Sequence, residues 1–176
     1  CFPCGITLGL GSYYVMTVEN TIADNLITDC SCGIQILPGE WWWNPWVIPP
    51  PEEHHIIVNN TIRNNYCGIA VLREGFDSVY HNNFVNNTYQ ALIAFMHACT
   101  WDDGYPSGGN YWSDYVGNDT HSGPYQNETG CDGIGDTPYL IDDWNNTDRY
   151  SLMKAWKWPL IGDVNYNGKV DIKDLY

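Results

Sequence analysis

Positive charge is scarce in this chain: seven Lys and Arg stand against 21 Asp and Glu, giving a net charge of -14 and a pI near 4.3. Such a surface repels phosphate backbones, which argues against nucleic acid as a partner and leaves divalent cations and neutral sugars as ligand classes. Long apolar runs are missing as well. Nothing approaches the roughly 18 residues needed to cross a bilayer, so no transmembrane segment is expected. Helical periodicity is also lacking between the short apolar runs, which excludes a helical bundle. At 176 residues the chain can hold one core and a small appendage. It opens "CFPCGITL" with neither Met nor a signal-peptide pattern and ends inside a motif, so a piece of a longer precursor is expected. Aromatics, by contrast, are abundant: nine Trp and thirteen Tyr exceed the needs of so small a core, and some must lie on the surface or in a cap.

Seven cysteines point to an oxidising compartment and disulfides, with at least one thiol left over. "CFPC" has C-x-x-C form but no helical pattern after it, so no redox site is read there. Asn59, Asn86, Asn118, Asn127 and Asn145 each head an Asn-x-Thr acceptor triplet, which points to a glycosylated, exported protein; Asn-rich repeats also generate such triplets by accident.

The main signal is a repeat. The series Asn60, Ile62, Asn64, Gly68, Ile69, Val71 is echoed 35 residues upstream by Asn25, Ile27, Asp29, Gly33, Ile34, Ile36. Downstream, a spacing of 23 gives Asn83, Val85, Asn87, Ala91, Leu92, Ala94. The difference is accounted for by the insertion "EWWWNPWVIPPPEE", leaving an underlying period of 23. Short β-branched runs punctuated by Asn and Gly read as strands and tight turns, and a unit this short must stack on copies of itself. The expectation is an all-β, right-handed parallel β-helix with coils of about 23 residues, an irregular C-terminal cap and a short EF-hand-like calcium loop. Its parts are residues 1–97 for the coils with a Trp/Pro-rich loop at 40–53, 98–160 for the cap, and 161–176 for the calcium loop. Ile27, Ile62 and Val85 should stack inward, as should Ile34, Ile69 and Leu92. Asp29, Asn64 and Asn87 should form a polar ladder, and Gly33 and Gly68 a turn with positive φ. "CGITL", "CGIQI" and "CGIAV" align Cys4, Cys32 and Cys67 in one column. They are disulfide candidates across adjacent coils or, alternatively, a stack of small buried thiols.

This pattern over residues 1 to about 97 resembles the β-helix repeats of NosD-like proteins in the broad pectate-lyase-like superfold. "WDDGYPSGGNYWSDY", "DGIGDTPYLID" and "YSLMKAW" resemble the segment that closes such helices in archaeal surface proteins. The resemblance implies an extracellular or cell-surface location and says nothing specific about chemistry. Copper, which the NosD-like name suggests, finds no support in His54, His55, His81, His97 and His121 or in the three Met, because no H-x-x-x-H spacing occurs and adjacent strand residues face opposite ways.

Three candidate sites remain. Trp41, Trp42, Trp43 and Trp46, stiffened by Pro49 to Pro51, offer flat faces for a polysaccharide or a partner, or else fold back over the coil wall. Asp132, Asp136, Asp142 and Asp143 suit either tight turns or a Ca2+ site, with turns the simpler account. "GDVNYNGKVDIKDLY" places Asp163, Asn165, Asn167, Lys169, Asp171 and Asp174 at the ligand positions of a calcium loop, Lys169 through its carbonyl, with Gly168 at the sharp turn. It resembles the first calcium repeat of a type I dockerin, which implies Ca2+ as cofactor and a cohesin-like partner for an intact dockerin.

Two function classes follow. One is a non-catalytic surface β-helix with a structural, adhesive or assembly role, forming homo-oligomers or filaments by end-to-end stacking. The other is a polysaccharide lyase or hydrolase, for which Asp102-Asp103 is the adjacent carboxylate pair near the coils besides Glu52-Glu53 in the loop, with only Arg63 and Arg73 as coil cations. The first needs fewer assumptions, and no catalytic residue is assigned.

Overall fold

A computed structural model of the chain describes residues 4–8, 19–37, 54–72, 76–94, 99–142 and 146–156. Within them the repeat becomes three sheets of parallel strands, each of the three complete coils contributing one strand to each sheet. The first sheet orders β1 (Cys4–Leu8), β4 (Cys32–Ile36), β7 (Cys67–Val71) and β10 (Tyr89–Ile93). In the second, β3 (Leu26–Thr28), β6 (Thr61–Arg63), β9 (Asn83–Val85) and β11 (Tyr111–Trp112) are neighbours in that order. The third holds β2 (Thr21–Ala23), β5 (Ile56–Val58) and β8 (Ser78–Tyr80). The chain is therefore an all-β parallel β-helix over these coils. Two antiparallel hairpins, β12 (His121–Ser122) with β13 (Glu128–Thr129) and β14 (Tyr139–Leu140) with β15 (Thr147–Asp148), belong to the cap.

Register decides which side chains share a column. Ile27 lies opposite Ile62, and Ile34 opposite Ile69, as the 35-residue spacing predicts. The next coil differs: Thr61 meets Asn83, Ile62 meets Phe84 and Arg63 meets Val85, a spacing of 22 rather than 23. Ile69 likewise meets Ala91, and Leu92 lies beside Ala70. Val85 and Leu92 are thus not core partners of Ile62 and Ile69. The doublets Asn82-Asn83 and Asn86-Asn87 make both registers legible, and a one-residue slip exchanges the faces of every side chain. Phe84 settles the choice, because the 22-residue register buries it completely in the Ile62 column.

The corners are built by paired residues. Asp24, Asn59 and His81 turn one corner with φ of 71°, 58° and 55°, and Asp29, Asn64 and Asn86 turn another with φ of 59°, 55° and 52°. Short polar side chains tolerate this left-handed region best. The residue after each turn faces inward. Asn25, Asn60, Asn82 and Asn110 form a ladder in which each backbone N–H and each amide Nδ2 donates to the Oδ1 of the next rung at 3.0 Å. At the second corner Asn65 donates in the same way to Asn87, so Asn87 partners Asn65, while Asp29 and Asn64 hold the turn outside it. These amides satisfy backbone groups that the coil buries away from water.

Gly33 and Gly68 sit in strands β4 and β7 and do not adopt positive φ. Their requirement is space. A Cβ on Gly33 would lie 2.6 Å from the Gly68 carbonyl oxygen and 2.7 Å from Ile62 Cγ2, and one on Gly68 would fall on the Gln90 carbonyl oxygen.

Two core columns end in indoles. Ile22, Ile57 and Val79 lead to Trp101, beside the Ser78–Thr100 bridge, and Ile27, Ile62 and Phe84 lead to Trp112. Both indoles are about 1% exposed. Phe84, Trp112 and Tyr139 stack face to face at 4.4 Å per step, close to the strand spacing of about 4.8 Å, so the aromatic pile continues the ladder into the cap.

Candidate functional site

The densest convergence of charged and hydrogen-bonding groups lies where coils meet cap. Residues 146–149 run past the last coil, and their side chains close its open groups one by one. Asn146 Oδ1 accepts from the Cys99 N–H and from the Trp101 indole, both at 3.0 Å. Asp148 Oδ2 accepts from the Asn110 N–H at 2.7 Å and from the Trp112 indole at 2.8 Å, which ends the Asn25–Asn60–Asn82–Asn110 ladder on a carboxyl oxygen. Asp148 is fully buried and seats over Gly109, where any Cβ would overlap its carboxylate. Burial pushes its pKa up to about 7, against the pull of these donors and of the Tyr150 N–H.

Arg149 reaches the other way. Its Nε and Nη2 grip Asp102 at 2.9 and 2.7 Å, and the Asp102 carboxylate also accepts from the Gly104 and Arg149 N–H groups. This hydrogen-bonded partner raises the Arg149 pKa further. Asp102 is 4% exposed, whereas Asp103 turns to solvent and accepts from Ser107 Oγ at 2.7 Å. The adjacent pair is thus split: one carboxylate is locked by a guanidinium, and the other faces a loop hydroxyl. Ser107 Oγ also lies 3.3 Å from His81 Nε2, whose ring stacks on Trp156 at 3.6 Å. Asn83 ties the backbone of Trp156 at both N–H and carbonyl, fixing this segment to the outer wall.

The acidic residues of the cap serve turns. Asp136 accepts from the Thr120 hydroxyl at 2.6 Å and from the Thr120 and His121 N–H groups, and the Thr120 hydroxyl first among them holds its pKa well below the usual carboxylate range. Asp119 receives the Asp132 and Gly133 N–H groups, Asp132 that of Ile134, and Asp142 that of Asn146. Asp143 lies outside the described residues. Among the described residues, no three His, Cys, Asp or Glu side chains converge on a metal-sized point. His54 pairs with Ser78, His55 with Asn20, and His121 with Asp136, each in a different place.

Cys4, Cys32 and Cys67 do form one column, register by register. All six described cysteines are thiols, so the stack of buried thiols, not a bridged pair, is what this structure contains. The reason is directional: in-register strands hold their Cβ atoms as far apart as their Cα atoms, about 4.8 Å, whereas a disulfide needs about 3.8 Å between Cβ atoms. Cys32 and Cys67 instead donate along their own strands to the Ile34 and Ile69 carbonyls at 3.1 and 3.2 Å.

Of the acceptor triplets, Asn86, Asn118 and Asn127 are exposed, and Asn59 is half-buried at its corner. Asn145, the indoles of Trp41, Trp42, Trp43 and Trp46, and the calcium-loop residues Asp163, Asn165, Asn167, Lys169, Asp171 and Asp174 lie outside the described residues. Sequence reasoning missed Asn146, Asp148 and Arg149. The one available signal was an Asn-x-Asp-Arg run among closing-segment residues that otherwise read as turns.

No helix is long and apolar enough to cross a membrane among the described residues. No curated protein and no solved structure matches the chain. A family model described as periplasmic copper-binding protein (NosD) matches residues 50–117, the stretch that carries β5 through β11. The central coils are accordingly similar to NosD proteins, in a chain whose described core is a parallel β-helix.

Proposed function

We propose that this protein is a non-catalytic β-helix of the exported, surface-exposed kind, serving as a rigid structural or adhesive module. One observation carries the reading: the Asp102-Asp103 pair, the best acid–base candidate near the coils, is divided between an Arg149 clamp and an exposed loop. Hydrolysis of a glycoside requires two carboxyl groups facing one bond across a gap of about 5–10 Å. A carboxylate held by a bidentate guanidinium and two N–H groups has no free lone pair to offer a substrate. Exposure of Asn86, Asn118 and Asn127 suits glycan attachment in an exported protein.

In this reading the loop at 40–53 supplies a polysaccharide contact, and the segment from 161 supplies calcium-dependent attachment to a cohesin-like partner. Assembly with further copies is end to end along the coil axis, and Asn146, Asp148 and Trp112 cover the cap side of the described coils. The purified protein is expected to leave acidic polysaccharides intact. Depolymerisation that disappears in Asp102→Asn or Asp103→Asn would replace this reading with the enzymatic one. Particle sizing with and without Ca2+ tests assembly, with a strictly monomeric protein under both conditions counting against it. Unchanged glycan-array binding by Trp42→Ala removes the sugar contact.

A further inference from the structure

Exposure puts Asn86, Asn118 and Asn127 on one footing, but an acceptor triplet also needs the hydroxyl two residues on, and the fold treats the four described triplets differently. Resting on the reading of an exported, glycosylated protein, that difference selects which asparagines carry sugar. Transfer forms a bond from the asparagine Nδ2 to the anomeric carbon of a sugar and breaks the bond from that carbon to the phosphate of a phosphate-linked donor. The phosphate leaves with the bonding electrons, and the Nδ2 proton passes to a base of the transferase. Amide and hydroxyl must both be presented to a second protein without opening the core.

Two triplets do not meet this condition. Asn59 is half-buried, and its neighbour Asn60 is fully buried in the ladder, donating to Asn82 at 3.0 Å. Thr61 lies half-buried in β6, with its N–H on the Asn25 carbonyl and its hydroxyl oxygen accepting from Asn83 at 3.2 Å. Asn118 is exposed, but the Thr120 hydroxyl donates to Asp136 Oδ2 at 2.6 Å, and Asp119 between them holds the Asp132 and Gly133 N–H groups.

The other two triplets meet it. Asn127, Glu128 and Thr129 are all exposed on a hairpin whose strands are two residues long. Among the described residues, neither the Asn127 amide nor the Thr129 hydroxyl is hydrogen-bonded. Asn86 shares the corner geometry of Asn59, with φ of 52°, and Asn87 behind it stays in the second ladder. It differs in being exposed together with Thr88, whose hydroxyl is likewise unbonded among the described residues. Tyr89, next along the chain, meets Tyr66 edge to face at 5.3 Å, and with these rings 46% and 60% exposed the corner offers a sugar a flat face.

We propose that Asn86 and Asn127 are the glycan-bearing asparagines of the folded chain and that the fold bars Asn59 and Asn118. The test incubates the folded full-length chain with an oligosaccharyltransferase that requires only the triplet, together with its pyrophosphate-linked oligosaccharide, and reads each site by glycopeptide mass spectrometry. Asn86 and Asn127 should exceed Asn59 and Asn118 in occupancy by at least about tenfold. Asp136→Ala, which releases the Thr120 hydroxyl, should raise Asn118 towards the level of Asn127 and leave Asn59 unmodified. Equal occupancy at Asn118 or Asn59 in the parent, an unmodified Asn86 or Asn127, or no gain at Asn118 in Asp136→Ala would overturn the assignment. Should Asp136→Ala fail to fold, the site pattern of the parent decides alone. Polysaccharide cleavage by the protein would sink the structural-module reading and leave this pattern of sites untouched.

Discussion

The coils, from Asn20 to Ala94, and the cap, from Cys99 to Trp156, solve the same problem of buried backbone by different means. In the coils the inward asparagines are satisfied by their own counterparts one turn away: Asn60 by Asn82, Asn65 by Asn87, with the same atoms and the same distance. In the cap the partners are unlike and used once: an indole meets a carboxylate, a guanidinium meets Asp102, and hairpin N–H groups meet Asp119 and Asp136. Repetition makes a coil cheap to extend but leaves its last rung open. Ending it takes an accepting oxygen and flat rings, which Asp148, Trp112 and Tyr139 supply.

The strongest way to break this division is at the junction. Trp112→Ala removes the ring between Phe84 and Tyr139 and should cost about 3–5 kcal/mol in chemical denaturation, more than any coil substitution below. Next comes Gly68→Ala, whose Cβ strikes the backbone of the next coil. About 3 kcal/mol is expected, whereas an alanine at Gly104, where nothing stands within 4 Å of the added carbon but φ is 73°, should cost only about 1 kcal/mol. Asn82→Ala orphans the Asn60 and Ile57 groups it serves and should cost about 2 kcal/mol; a loss below about 0.5 kcal/mol would mean that water replaces the rung.

The fourth test uses pH. Asp148 has a pKa of about 7 when folded and the ordinary carboxylate value, about 4, when unfolded. Between these the native state holds the extra proton, so its contribution is complete below about pH 4 and is lost as pH rises through about 7. Unfolding free energy should therefore decline across that window by at most about 1.4 kcal/mol per pH unit, and Asp148→Asn should flatten the slope. A slope of opposite sign that Asp148→Asn abolishes would show that the three donors outweigh burial. The smallest effect is expected at a corner: Asn86→Gly keeps positive φ available and should shift stability by a few tenths of a kcal/mol.

Much of the coil region was legible because stacking repeats leave their period in the chain. Ile27 over Ile62 and Cys4 over Cys32 over Cys67 follow directly from it. The third copy reads one residue out of register in the sequence because paired asparagines satisfy the pattern in two registers, and burial of Phe84 separates them. Gly33 and Gly68 stand out in the sequence, but crowding and not positive φ is what requires them, since a sequence shows that a side chain is missing but not what would collide with it. Asp148 and Arg149 were hidden altogether. Their partners lie 36 and 47 residues away, and no local spacing connects them.

By itself, then, the amino-acid order determined that short strands would stack in parallel with like residues in columns, because a unit of this length cannot bury its apolar face alone. Only the tertiary structure decided which asparagine of each doublet turns inward, that the cysteines stand too far apart to bridge without distortion, and that Asp102 is spent on Arg149. Those outcomes depend on the distances between groups far apart in the chain, and sequence spacing carries no such information.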